Sequence, residues 1–187
     1  MKKTLTLLFG IFCIICTMNL FAGKPVTVKS GDVTILKQKS TAVLEVDFSK
    51  TKIGTQTLDA YLKEHGSDWE NGWPTDKLWS ETCFTGRFNN YNGKMQIQTD
   101  TDDVDYKIVI HVLTMDMGNP AGVFIPYAPS TAGGVTIAGT VDFVDLKTKD
   151  VVLSLVYEKV QGESSPSARV RMALAFTQLA EYIRKLK

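Results

Sequence analysis

Apolar residues recur with a period of two over most of the chain, and with a helical period in three places. Val26-Thr27-Val28 and Val33-Thr34-Ile35 flank Ser30-Gly31-Asp32, which predicts a tight N-terminal hairpin. Leu44, Val46 and Phe48 alternate with Glu45 and Asp47, the pattern of a half-buried strand. Leu58, Tyr61, Leu62 and His65 then fall at i, i+3, i+4 and i+7, and Gly66 ends that helix. A second helix is predicted from Thr75 to Asn89, opened by Pro74-Thr75, with Leu78, Trp79, Thr82, Cys83 and Gly86 as its buried stripe. Between the helices, Ser67 to Trp73 reads as a polar loop that carries Trp69 and Trp73.

From Lys94 onward the pattern is β. Met95 and Ile97 mark a short strand, and Thr99 to Asp105 a polar turn. Tyr106 to Met115 alternates through Tyr106, Ile108, Ile110 and Val112. Its second face carries Val109, His111, Leu113 and Met115, so a central strand covered on both sides is expected. Gly118 to Gly134 is a long loop rich in Gly, Pro and Ala, of the kind that is usually functional or mobile in compact domains. Val135, Ile137, Val141 and Phe143 resume the alternation with Gly139 facing inward, and Asp145 to Asp150 turns the chain into Val151 to Tyr157. Ser165-Pro166 signals a helix start, because Ser accepts from free backbone N–H groups and Pro fits the first turn. Met172, Phe176, Leu179, Ile183 and Leu186 form the apolar stripe of this last helix, with Arg184, Lys185 and Lys187 at its cation-favouring end. The order predicts an α+β, two-layer domain: a mainly antiparallel sheet with helices packed on one face.

The N-terminus changes the picture of where this domain works. Lys2 and Lys3 precede an uncharged apolar run from Leu5 to about Met18, and Leu20-Phe21-Ala22 ends on a small residue. This is the three-part pattern of a secretory signal peptide. The apolar run is shorter than the roughly 20 residues that cross a bilayer. Residues 1–22 are therefore expected to be removed, leaving 23–187 as a single domain with no transmembrane segment. Neither Cys13 nor Cys16 follows a small residue, so no lipid anchor is expected. Cleavage removes both and leaves Cys83 alone of the 3 cysteines, so the core rather than a disulfide must hold the fold. Loss of Lys2 and Lys3 turns the formal charge from +1 to −1, which offers no basic footprint for nucleic acid.

Candidate chemistry is sparse. The 2 histidines, His65 and His111, lack a second ligand at metal spacing, and both read as structural. Cys83 lies on the predicted buried stripe and reads as a small hydrophobe. Asp100, Asp102, Asp103 and Asp105 alternate as calcium ligands do, yet the central glycine and closing acid of a calcium loop are missing. A solvated turn is the other reading. Gly133-Gly134 and Gly139 are followed by strand rather than helix, so they form no phosphate cradle, and no cofactor is expected. Trp69 and Trp73 either fold back over the helix ends or, with Phe124 and Tyr127 of the long loop, offer a contact surface for a protein or a glycan. Asp68 and Glu70 beside the tryptophans are the candidate carboxylate pair for hydrolysis of an envelope polymer.

The segments "DYKIVIHVLTMDMG" and "GGVTIAGTVDFVDLKTKDVVLSLVY", followed by a basic-ended helix, resemble small exported bacterial envelope domains. Their fold is similar to the N-terminal domain of TolB and to the periplasmic domain of curli-secretion lipoproteins. Asp105-Tyr106 opening a strand and the "VDLKTKDVV" hairpin carry the likeness. It implies binding or assembly work in the envelope with an envelope protein or glycan, and it transfers no catalytic residue. The chain departs from the curli lipoproteins in lacking the anchor cysteine. Three functions stand at this stage: a non-enzymatic envelope binding or assembly module, an envelope-polymer hydrolase, and a small-ligand or calcium binder.

Overall fold

The computed structural model describes residues 24–90, 95–100, 103–118 and 133–186. The expected signal peptide at 1–22, Asp102, Phe124 and Tyr127 lie outside the described residues. The fold is α+β, with an eight-stranded mixed sheet and three helices. The strands are β1 (Val26–Gly31), β2 (Ser40–Asp47), β3 (Lys52–Ile53), β4 (Gln56–Thr57), β5 (Met95–Ile97), β6 (Tyr106–Asp116), β7 (Thr136–Asp145) and β8 (Val151–Gln161). The helices are α1 (Leu58–His65), α2 (Ser67–Asn90) and α3 (Ala168–Arg184). The main path of the sheet is β1-β8-β7-β6-β2-β5. Its β1-to-β6 part is antiparallel, whereas β2 runs parallel to both β5 and β6.

The core lies between the sheet and the helices. Ala42, Val46, Ile108, Ile110, Val141, Phe143, Leu153 and Leu155 point into it from the strands. Phe84 and Phe88 of α2 and Phe176, Leu179 and Ile183 of α3 meet them. The predicted α3 stripe is therefore the buried one. Gly139 is required by a close approach: a Cβ there would stand 1.9 Å from the His111 carbonyl oxygen and 2.8 Å from the Tyr157 hydroxyl. That hydroxyl, fully buried, donates to the same carbonyl at 3.0 Å. Burial pushes the Tyr157 phenol far above its ordinary value.

Five expectations are corrected. First, β1 forms no hairpin with the segment after it. It pairs with β8, and Asp32 caps a 3-10 turn at Val33–Lys37 by accepting from the Thr34 N–H at 2.8 Å and the Thr34 hydroxyl at 2.6 Å. Consecutive Ile35 and Leu36 are both buried, which a strand covered on one face does not arrange. Second, the tryptophan segment is helix rather than loop. α2 starts at Ser67, with Asp68 and Glu70 in the first turn where the dipole favours anions, and it continues through Pro74. Pro74 is exposed and removes only its own N–H from the ladder. Third, the buried stripe of α2 is Ser80, Phe84 and Phe88, extended by half-buried Trp69 and Trp73. Leu78 and Trp79 face outward, 62% and 49% exposed.

Fourth, β6 is covered on one face only. Val109 and His111 are half-buried and Leu113 is 42% exposed. A bulge between Val112 and Thr114 shifts the register, so Met115 joins the buried face instead of the outer one. Fifth, Ser167, not Ser164 or Ser165, caps α3 by accepting from the Val170 N–H. The Ser165 and Pro166 carbonyls instead accept from the buried Arg171 guanidinium, which also donates to Met117. Arg184 likewise does more than answer the helix dipole. It donates to the carbonyls of Phe88 (3.0 Å), Leu36 (3.1 Å) and Met95 (3.0 Å) and lies 4.2 Å over the Phe88 ring.

Candidate functional site

The outer face of α2 holds the largest exposed apolar side chains in the described residues, Leu78 and Trp79. They stand there because α2 turns its two phenylalanines inward, and the neighbouring positions of a helix then point away from the core. Leu78 forms one lip of a groove of about 340 Å³ whose other wall is Val43, Leu44 and Ile97. The groove exists because β5 is short. It pairs with β2 only from Ser40 to Ala42, leaving the rest of that side of β2 to α2. Glu81 lines the groove beside Lys77, 3.8 Å away, and burial raises its carboxyl above the ordinary value.

Trp69 and Trp73 spend much of their ring surface inside the fold. Trp73 stands edge-on to Phe48 with centroids 5.0 Å apart, and Phe48 in turn contacts Phe176 at 6.1 Å. Trp69 stands edge-on to Tyr61 at 5.9 Å and tilts against His65 at 5.1 Å, while Tyr61 and His65 stack at 4.0 Å. The His65 Nδ1 lies 2.9 Å from the Tyr61 carbonyl. A shallow cleft of about 260 Å³ remains between Trp69, Gly72 and Ser167, closed on one side by the Arg169–Asp76 ion pair. Asp68 and Glu70, two positions apart in the first turn of α2, are both exposed and do not face each other. The sequence pointed to the two packed tryptophans and missed the exposed one. The signal that would have found it is the four-residue spacing of Ser80, Phe84 and Phe88, the better helical stripe.

On the open face of the sheet, a polar chain crosses four strands. Ser154 donates to Asp142 at 2.6 Å, Asp142 lies 3.6 Å from His111 Nε2, and His111 Nδ1 lies 3.0 Å from Asp47. Hydrogen bonds from Ser49, and then His111, hold the Asp47 carboxyl down at about 2. The serine gives its proton to a carboxylate and not to the imidazole, so this array lacks the contact that activates a nucleophile. The described acids of the predicted calcium turn do not converge. Asp105 accepts from the Thr41 N–H at 3.1 Å, and Asp103 takes a positive φ of 59° on the exposed turn. Among the described residues no three His, Cys, Asp or Glu side chains are placed to share a metal ion. Cys83 is half-buried and free, and burial raises its thiol. No described helix is long and apolar enough to cross a membrane.

The described residues fold as an α+β domain with an apolar groove along the outer face of α2. No family profile and no curated protein matches the chain. Among solved structures it is similar to the PelC dodecamer from Paraburkholderia phytofirmans, at 13% identity and a TM-score of 0.42, over 87% of this chain and 98% of that one. A point variant of the same dodecamer gives 14% identity and 0.41, over 84% and 96%.

Proposed function

We propose that the chain is an exported, non-enzymatic binding or assembly module of the cell envelope that engages a partner protein through the outer face of α2. The observation that carries this reading is Leu78, exposed at the lip of a groove with an apolar wall, next in sequence to the exposed Trp79. Tryptophan is enriched among the residues that dominate interface energies, and contiguous apolar surface on a folded domain marks a contact site. A leucine lip and an apolar wall of Val43, Leu44 and Ile97 suit an apolar side chain of a partner protein, with Glu81, Thr82, Thr85, Gln98 and Thr99 as the polar part of the lining. Export rests on the N-terminal leader pattern, and an envelope role on the resemblance to TolB-like and curli-lipoprotein domains. Photo-crosslinking from position 82, beside the groove, in intact cells tests the reading. Crosslinks that vanish in Leu78→Ser with Trp79→Ser, at unchanged melting temperature, are expected. An identical crosslink pattern in that double variant refutes the α2 contact.

A further inference from the structure

A second surface lies at the opposite edge of the sheet. The free side of β1 and the end of α3 enclose a groove of about 560 Å³, lined by Lys24, Val26, Val28, Tyr182, Lys185 and Leu186. Among the described residues β1 pairs only with β8. The Pro25 carbonyl accepts from the Glu158 N–H across that ladder. By the alternation of an antiparallel pair, the N–H and C=O of Val26 and Val28 then point the other way, toward the open edge. Among the described residues nothing pairs with them there. Val26 is buried, whereas Val28 keeps an apolar side chain 46% exposed on an unpaired edge.

An unpaired strand edge beside a helix is the geometry that receives an added strand. Main-chain hydrogen bonds supply the affinity, and alternate side chains of the newcomer enter the groove between edge and helix. Here the groove floor is apolar, with Val28, Tyr182 and Leu186. Its rim is cationic: exposed Lys24 just before β1 and Lys185 at the C-cap of α3 line the groove, Lys185 beside Glu181, which it shares with Arg87, and exposed Lys29 follows on β1 outside the lining. The same lysines oppose a second copy of β1, because edge-to-edge pairing would bring like charges together. We infer that the β1–α3 groove binds an extended, acidic segment of another protein by adding it to β1 as a strand. This surface is separate from the α2 face and does not depend on it.

The test is titration calorimetry with a blocked synthetic decapeptide alternating valine and glutamate, against the same peptide with lysine for glutamate. The glutamate peptide is expected to bind at least tenfold more tightly and to weaken as salt rises. The Lys24→Glu, Lys29→Glu double variant, which alters only exposed side chains, is expected to lose at least tenfold in affinity. Val28→Pro removes one of the two outward N–H groups, that of Val28, without touching the β8 ladder, and proline is tolerated on an edge. It is expected to abolish binding, and where it lowers the melting temperature the lysine variant decides. Equal affinity for both peptides, no binding of the glutamate peptide at millimolar concentration, or full binding by the lysine variant overturns the inference. Self-association through β1 that excludes the peptide overturns it as well.

Discussion

Replacing Arg184 with alanine removes one guanidinium that closes off three separate backbone segments. Its partners are the carbonyls of Leu36 after β1, Phe88 at the end of α2 and Met95 in β5. Hydrogen bonds from a charged donor are each worth about 1.5–3 kcal/mol, and cation–π stacking adds about 0.5–2 kcal/mol. The sum overstates the loss, since water reaches part of this half-buried site and can satisfy a freed carbonyl. A net cost of about 4 kcal/mol is expected. At about 2–4 °C per kcal/mol for a domain of this size, the melting temperature falls by roughly 8–16 °C. Urea unfolding at 25 °C checks the free energy directly, with the midpoint moving and the slope unchanged. Arg184→Lys retains the charge but not the fork, so one carbonyl and part of the Phe88 contact are recovered and about half the loss remains. A loss below about 1 kcal/mol for alanine, or full stability of the lysine variant, refutes the idea that this fork ties the segments together.

Gly139→Ala places a Cβ against the His111 carbonyl in the middle of the sheet, where neither strand can move away, and is expected to cost at least about 2 kcal/mol in urea unfolding. Acid is expected to weaken the fold through Glu181 and Asp47. Hydrogen bonds from Lys185 and Arg87 hold the Glu181 carboxyl at about 2 against an ordinary 4.5, and Asp47 sits at about 2 against 3.8. Their native-state values are lowered, so their contribution is complete above the ordinary values and disappears as pH falls toward 2. Melting temperatures from pH 6 to pH 2 should show a gentler acid slope in Glu181→Gln, and an unchanged slope removes Glu181 from the explanation. Native Cys83 should react with an aromatic disulfide reagent at pH 8 at least tenfold more slowly than in urea, because burial raises the thiol; equal rates contradict that burial.

The strands after Lys94 were legible because period-two alternation on one buried face leaves little freedom: Ile108, Ile110, Val141 and Phe143 all point where their spacing placed them. The α3 stripe was legible for the same reason with a helical period. Misreadings arose where two signals competed. Pro74 suggested a helix start, but the acids and Ser67 already provided one, and the longer helix turned Trp69 and Trp73 onto Phe48 and Tyr61. That shift rotated the assumed stripe by one position and hid Leu78 and Trp79, so the candidate contact face was the part least visible in sequence. The bulge at Leu113 carries no local signal at all, since it answers the pairing of β7, which lies more than twenty residues downstream. The parallel pairing of β2 with β6 was likewise invisible, because alternation reports a strand's faces and not its neighbours.

β1 lies against β8, so among the described residues the first strand of the sheet finds its partner more than a hundred residues further along the chain. During synthesis Val26 to Gly31 emerges early and has nothing to pair with until Val151 to Gln161 has followed. The sheet therefore cannot be completed until β8 has been made. Closure over so long a loop is also intrinsically slow. If the protein leaves the cytoplasm as proposed, this ordering would suit it: a sheet that waits for its late strand stays longer in the unfolded, threadable state that passage through a narrow translocation channel demands.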